Sequence, residues 1–217
     1  MSSDKETFIR ANLAVGTAPL VPEIQLYLAG EITPIWQATA ADLEEANMPP
    51  PFWAFCWPGG QALARHILDN PEISRGKRVL DFAAGGGVAS IALAMAGAST
   101  VTASEIDPFA IAAMKLNAAL NDVAFEIVEG DLTREQNQGS DIVIAGDVCY
   151  ERPMSGEVAS WLRKLAATGA TVLMADPGRE YLPKDGLAEL ASYEVPTSRQ
   201  LEDSDACTTV LWRVQSG

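Results

Sequence analysis

The stretch Val79-Leu-Asp-Phe-Ala-Ala-Gly-Gly-Gly87 decides the fold class, because it joins a short apolar run to a cluster of glycines. The apolar run predicts a buried strand, and the Ala-rich residues 88–96 that follow predict a helix. Glycines between a strand and a helix let backbone amides approach a ligand without obstruction from a Cβ atom. The stretch therefore predicts a βα unit whose turn binds a ligand.

The same alternation continues toward the C-terminus. Strands are predicted at residues 100–104, 125–128, 141–145 and 170–175, and helices at residues 60–68, 108–120 and 155–167. Two final strand candidates, at residues 193–196 and 207–214, are close enough along the chain to pair antiparallel. The alternation predicts a doubly wound α/β fold with a mostly parallel sheet, covered by helices on both faces. Its ligands are expected at the carboxyl ends of the strands, where the strand order reverses.

The first 55 residues differ from this pattern, and we interpret them as an accessory segment on a main domain at residues 56–217. A helix is predicted from residue 3 toward residue 13, and the partly alternating residues 23–29 predict a strand. Pro49-Pro-Pro51 is expected to end regular structure.

Charge disfavours nucleic acid as a partner. The chain has 15 Lys and Arg against 29 Asp and Glu, a net charge of -14, and a negative field repels phosphate backbones. An acidic surface suits a basic protein partner, although it also serves solubility alone.

Other sequence features argue against membrane and metal chemistry. No apolar run is long enough to cross a bilayer. Three scattered cysteines without metal-type spacing favour a reducing, cytoplasmic location. The single histidine, His66, has no partner for a catalytic triad or a zinc site, so no metal is expected.

Acids stand at the ends of two successive predicted strands. Asp81 precedes the glycine turn and suits a cationic amino-acid group, whereas Glu105 suits the two hydroxyls of a ribose. With Gly85 and Gly87, these acids predict a nucleoside site; the alternative is a tight turn whose glycines serve packing alone. Gly85-x-Gly87-x-x-Ser90 loosely imitates the NAD fingerprint, but Ser stands at its third small position and Asp81 lies ahead of the loop.

Residues 81–87 resemble the acid-x-Gly-x-Gly-x-Gly pattern of seven-stranded, Rossmann-like class I methyltransferases. One position departs from the pattern, because Ala83 stands where a glycine is usual. If that position requires a positive φ, alanine would cost stability or shift the loop. The resemblance implies a seven-stranded sheet and S-adenosylmethionine as the cofactor.

Asp147-Val-Cys-Tyr150 resembles the acid-x-x-aromatic motif that such enzymes carry beside the methyl donor. Relatives acting on nucleic-acid amines or glutamine amides often have two prolines between the outer residues, and their absence disfavours those substrates. A lysine amine fits better, since Asp147 suits orientation of an ammonium and Tyr150 offers a π face that favours cations. The alternative is a structural strand-end Asp and a Tyr packed over a turn.

Three further segments, Trp57-Pro-Gly-Gly, Glu105-Ile-Asp-Pro108 and Asp176-Pro-Gly-Arg179, complete a wider resemblance. Together with the motifs above, they are similar to the lysine methyltransferases that modify the β subunit of electron transfer flavoprotein, including bacterial members. The resemblance covers about residues 51–214 and implies that a lysine of that flavoprotein is the substrate.

The same resemblance implies two further cofactor contacts. Trp57 would border the cofactor site, although an aromatic cluster alone is typical of a core. Asp131 would meet the adenine amino group, and an Asp turn is its structural alternative. For the whole chain, the alternatives are a methyltransferase for a ribosomal protein or another protein lysine, a non-catalytic NAD-binding module, and an inactive scaffold.

Overall fold

A computed structural model describes residues 2–30 and 50–216 of the chain. In chain order, its strands are β1 (Ala14–Ala18), β2 (Val21–Leu28), β3 (Arg78–Phe82), β4 (Thr100–Glu105), β5 (Glu126–Glu129), β6 (Ile142–Gly146), β7 (Thr171–Asp176), β8 (Leu187–Pro196) and β9 (Ala206–Val214). Strands β3 to β9 form one seven-stranded sheet in the order β5-β4-β3-β6-β7-β9-β8. The first five strands in this order pair in parallel, and β9 is antiparallel to both of its neighbours. The predicted mostly parallel, seven-stranded α/β fold is therefore confirmed.

The helices of the described residues are α1 (Ser2–Asn12), α2 (Pro58–Asp69), α3 (Val88–Met95), α4 (Pro108–Leu120), α5 (Met154–Ala167) and α6 (Arg199–Glu202). Proline occupies the first turn of α2 and of α4, where its missing N–H costs nothing. Asp107 caps α4, because its side chain accepts a hydrogen bond of 2.7 Å from the Phe109 amide. None of these helices combines the length and the apolar character needed to cross a bilayer.

Helices cover both faces of the sheet, as predicted. On β3, Val79 belongs to the buried cluster that includes residues of α2 and α3, whereas Leu80 and Phe82 pack with residues of α5 on the other face. The Phe82 ring lies 4.7 Å from that of Trp161, centroid to centroid. A strand that is apolar on both sides is what a sheet with two covered faces requires.

The order of the strands reverses beside β3. From β3 the chain proceeds through β4 to β5 on one side, and then crosses to β6 and β7 on the other. Parallel strands bring their carboxyl ends to one edge, and the crevice at such a reversal is where doubly wound sheets bind ligands. Asp81, Glu105, Asp147 and Asp176 all lie at or just after the ends of these strands.

The N-terminal residues form α1 and a β1–β2 hairpin that packs on the main sheet domain. Ile24 and Leu26 of β2 are fully buried in the same cluster as α2 and α3. Asn117 of α4 accepts a 2.8 Å hydrogen bond from the Tyr27 amide. The division into an accessory segment and a main domain at residue 55 remains a prediction. Residues 31–49, with Pro49, lie outside the described residues.

Strand β8 is longer than predicted, because it begins at Leu187 rather than at residue 193. Its register shifts between Glu189 and Ala191, which breaks the period-2 alternation by which a strand is predicted. Strand β1 was not predicted, because its sequence Ala-Val-Gly-Thr-Ala has little alternation of apolar and polar residues.

Candidate active site

The glycine loop after β3 has a left-handed backbone at three positions. The φ angles are 54° at Ala83, 54° at Gly85 and 83° at Gly87, which directly precedes α3. A Cβ atom added to Gly87 would lie 2.6 Å from Cγ of Met114, so the side of Gly87 is filled by α4. A Cβ atom added to Gly85 would meet no atom within 4 Å. The loop therefore presents open space at Gly85 and close packing at Gly87.

Ala83 takes the positive φ that glycine adopts at no steric cost. We expect Ala83→Gly to raise the free energy of unfolding by about 0.5–1 kcal/mol. The relief of left-handed strain exceeds the additional conformational entropy that glycine loses on folding. Urea denaturation measures the change. Ala84 is the matched control, since it lies outside the residues with positive φ, and Ala84→Gly should lower stability. A free energy of unfolding lower for Ala83→Gly than for the parent chain would contradict backbone strain at Ala83.

Asp81 is buried beneath this loop, with 3% of its surface exposed. Its Oδ2 accepts a 2.6 Å hydrogen bond from the Ser90 hydroxyl of α3. Burial raises the pKa of Asp81 to about 7, although the Ser90 hydrogen bond opposes this rise. A buried carboxylate of this kind is stabilised by a neighbouring cation, which fits the predicted contact with an amino-acid ammonium group.

Glu105 contacts the glycine loop directly. Its Oε2 accepts a 2.9 Å hydrogen bond from the Gly85 amide, and its Oε1 accepts from the amides of Ile106 and Asp107 at 2.7 and 3.1 Å. The structure thus brings together two residues that the sequence predicted for one site. A ribose diol would have to meet a carboxylate already oriented by three backbone donors.

Asp131 adopts the turn that was its structural alternative. Its Oδ1 accepts a 2.9 Å hydrogen bond from the Thr133 amide, and this bond lowers the pKa of the exposed carboxyl. The neighbouring Gly130 amide donates to the Glu105 carbonyl at 3.0 Å, which ties the turn to the glycine-loop side of the site. Contact of Asp131 with adenine stays a prediction.

Asp147 follows β6 with a left-handed φ of 55°. Its Oδ2 accepts a 3.0 Å hydrogen bond from the Gly60 amide in the first turn of α2, and its Oδ1 accepts one of 3.2 Å from Nη2 of Arg179. A helix N-terminus and a guanidinium both favour the ionised carboxylate. Burial nevertheless dominates and raises the pKa of Asp147 to about 7.

The segment Trp57-Pro-Gly-Gly has a packing explanation in this contact. A Cβ atom added to Gly59 would lie 2.5 Å from Oδ2 of Asp147 and 2.6 Å from the Ala175 carbonyl oxygen. Only glycine lets the start of α2 approach Asp147 this closely. The Trp57-Pro-Gly-Gly segment and Asp147, which the sequence marked separately, are therefore packed against each other in the fold.

Three aromatic rings contact one another beyond the end of β6. Tyr150 and Phe52 are about half exposed, at 45% and 46%, and their ring centroids are 5.7 Å apart. Trp57 lies 6.1 Å from Phe52 and donates from Nε1 to the Phe52 carbonyl oxygen at 2.7 Å. The sequence interpretation of an aromatic cluster as core holds for Trp53 and Phe55, which are buried at 4% and 7% exposure, but not for Phe52 and Trp57.

Sequence reasoning missed the role of Arg179 and any role of Glu202. Asp176 accepts hydrogen bonds of 2.7 Å from the amides of Gly178 and Arg179, and this turn directs Arg179 back toward Asp147. Nη2 of Arg179 also donates to Oε1 of Glu202 at 2.7 Å. The Asp176-Pro-Gly-Arg179 motif signalled this turn, whereas no sequence signal marked Glu202, which lies on the short α6 between β8 and β9.

Comparison with known proteins yields several relatives. Residues 62–148 match the family "Ribosomal protein L11 methyltransferase (PrmA)". The chain is 36% identical over 217 residues to the electron transfer flavoprotein beta subunit lysine methyltransferase of Danio rerio, a match that covers 97% of this chain and 83% of that protein. The protein of the same name from Homo sapiens is 36% identical over 220 residues, with 97% and 82% covered.

The fold has relatives among solved structures. Magnesium protoporphyrin IX methyltransferase from Synechocystis PCC 6803, solved with bound S-adenosylmethionine, superposes with a TM-score of 0.53. The two chains are 21% identical, and the match covers 72% of this chain and 79% of the other. At this identity the likeness supports the shared fold alone.

Proposed function

The chain belongs to the family of electron transfer flavoprotein β-subunit lysine methyltransferases and is an S-adenosylmethionine-dependent methyltransferase, and we propose that its substrate is lysine in that β subunit. The observation that carries the proposal is the position of Asp147 and Tyr150 at the strand edge that also bears the glycine loop. A nearly buried acid followed three residues later by a half-exposed aromatic ring suits a cationic amine better than a neutral amide.

We assign cofactor binding to Trp57, Asp81, Gly85, Gly87, Glu105 and Asp131. The fit is supported by the open space at Gly85, the buried Asp81 carboxylate and the Glu105 carboxylate beside the loop. S-adenosylmethionine, when bound, supplies an electrophilic methyl group on a sulfonium. Asp81 would then face the amino-acid part and Glu105 the ribose.

The residues of the chain prepare the amine. A lysine is protonated near neutral pH and lacks a nucleophilic lone pair until it loses that proton. Ionised Asp147 attracts and orients the ammonium, and the Tyr150 ring offers a π face along which the side chain enters. Once the proton has passed to solvent, proximity and alignment favour direct displacement, in which the amine nitrogen takes the methyl group and a neutral thioether leaves. The expected rate rises with pH, both because Asp147 ionises with a pKa of about 7 and because the lysine deprotonates.

The flavoprotein is favoured over a ribosomal protein as substrate. The match to the ribosomal protein L11 methyltransferase family ends at residue 148 and so omits Tyr150 and Arg179. The relatives named for the flavoprotein match over 97% of the chain. The net charge of -14 also favours encounter with a basic surface on the partner.

We also propose a cytoplasmic location. Cys56, Cys149 and Cys207 are free thiols in the structure, as in proteins of reducing compartments.

Incubation of the purified chain with methyl-labelled S-adenosylmethionine and recombinant flavoprotein tests the proposal. Peptide mass spectrometry is expected to locate the label on one or more lysines of the β subunit. DNA, RNA and ribosomal protein L11 serve as alternative acceptors in parallel reactions. Label on L11 lysines alone would preserve the chemistry and reject the substrate. Label on nucleic acid or glutamine, with none on lysine, would reject the function.

A further inference from the structure

Arg179 joins two acids that approach it from different parts of the fold. Its Nη2 atom donates to Asp147 after β6 at 3.2 Å and to Glu202 on α6 at 2.7 Å, and its Nη1 atom donates to Glu202 at 3.4 Å. The guanidinium also lies over the Trp57 ring, 5.6 Å from its centroid. The side chains of all three charged residues are largely buried, with 20% of Arg179, 12% of Asp147 and 11% of Glu202 exposed.

We propose that Arg179 is a positioning residue for methyl transfer: anchored by Glu202, its guanidinium holds the Asp147 carboxylate in the orientation that receives the incoming amine. The inference rests on the proposed function, since it takes Asp147 to be the group that receives the lysine. It adds Glu202 as the residue that determines where Arg179 is held.

Arg179 is the cationic side chain that forms an ion pair with Asp147. Burial and the neighbouring Asp176 raise the pKa of Asp147 to about 7, and Arg179 and the Gly60 amide oppose this rise. The thiols of Cys56, Cys149 and Cys207 also interact with Asp147, and burial raises their pKa values, so they are neutral near neutral pH. The positive charge of Arg179 therefore opposes the effect of burial on the Asp147 carboxylate.

In this arrangement, Glu202 holds Arg179 in a position where the guanidinium does not cover the Asp147 carboxylate. Both Nη atoms of Arg179 donate to Glu202, and only Nη2 also donates to Asp147. The distance from Nη2 is 3.2 Å to Asp147 and 2.7 Å to Glu202. A guanidinium free of Glu202 would be able to form a bidentate pair with Asp147 and occupy the place of the substrate ammonium. The anchored geometry leaves Asp147 with a cation at its side and its remaining lone pairs for the amine.

Three variants separate these roles: Arg179→Gln, Arg179→Lys and Glu202→Gln. Arg163→Gln is the matched control, since Arg163 pairs with the exposed Asp185 outside the site. Carbon-13 NMR of labelled aspartates follows the titration of Asp147, whose signal is identified by its loss in Asp147→Asn. Calorimetry measures S-adenosylmethionine affinity, and kcat/KM is measured on the flavoprotein across pH.

Arg179→Gln is expected to raise the pKa of Asp147 above its value in the parent chain and to lower kcat/KM near neutral pH about tenfold or more. The loss should diminish as pH rises, because Asp147 then ionises without help. Arg179→Lys should recover much of the rate by restoring the charge. Glu202→Gln should raise KM for the protein substrate without raising the pKa of Asp147. Cofactor affinity should stay within about twofold in every variant, and Arg163→Gln should behave as the parent.

An unchanged Asp147 titration in Arg179→Gln would overturn the inference. If that variant does not fold, as judged by circular dichroism, Glu202→Gln still decides, and a parent-like KM for the protein substrate in Glu202→Gln would overturn the inference. The proposed function fails separately if the parent methylates no lysine while the Asp147 titration still responds to Arg179→Gln. In that case the effect of Arg179 on the titration of Asp147 is upheld, and its role in lysine methylation is rejected.

Discussion

Asp147→Asn is expected to lower kcat for lysine methylation by at least about 100-fold, while S-adenosylmethionine affinity stays within about twofold. The substitution removes the negative charge that attracts the ammonium but preserves the local backbone, because Asn tolerates the left-handed φ of 55°. The Asn side-chain oxygen still accepts a hydrogen bond from the Gly60 amide, so the start of α2 keeps its contact. Single-turnover transfer and calorimetry separate the two effects.

Asp185→Asn is the control for this loss. Asp185 is an exposed partner of Arg163 and lies outside the strand-edge site, so the same chemical change there should leave both transfer and binding unaltered. Full activity of Asp147→Asn would show that the motif at residues 147–150 is structural. Loss of cofactor binding together with activity would reassign Asp147 to the cofactor site.

Gly85→Arg is expected to weaken S-adenosylmethionine binding by at least about 100-fold, roughly 2.7 kcal/mol, without unfolding the chain. No protein atom lies within 4 Å of a Cβ atom at this position, so the arginine side chain would enter the space assigned to the ligand rather than the core. Isothermal calorimetry measures the binding, and thermal unfolding confirms that the domain remains folded.

Gly76→Arg is the matched control for Gly85→Arg. Gly76 also has a positive φ, 71°, and open space at its Cβ position, but it precedes β3 at the opposite edge of the sheet. Both variants carry the same cost of a left-handed arginine, and only Gly85→Arg should lose the cofactor. Equal binding by the two variants would place the cofactor away from the glycine loop.

The central fold was predictable because its local signals agree with its global arrangement. Strand β3 lies where the apolar run predicted it, and α4 matches its prediction at both ends, with Pro108 in the first turn. The positions of Asp81 and Glu105 at strand ends followed from the same reasoning, since parallel strands bring their carboxyl ends together. Strand β8 extended beyond its prediction because a register shift interrupts its alternation.

The ion pairs of the site were not predictable, because they depend on contacts between distant segments. Glu202 precedes β9 by only a few residues and carries no motif, yet it meets Arg179 from the connection between β8 and β9. The exposure of Phe52 and the burial of Trp53 likewise follow from how residues 52–54 pack on α4, where the Trp53 ring stacks on Phe109 at 5.7 Å. Neighbouring aromatic residues look alike in sequence until a packing partner distinguishes them.

The most direct test of lysine methylation by this chain uses the flavoprotein isolated from the cells that produce it. Intact-mass and peptide spectrometry of the β subunit would compare cells with the intact gene, with the gene deleted and with the Asp147→Asn replacement. Methylated lysine is expected with the intact gene and is expected to be absent from both other strains. Equal lysine methylation in all three strains, or its absence from all three, would contradict the assignment.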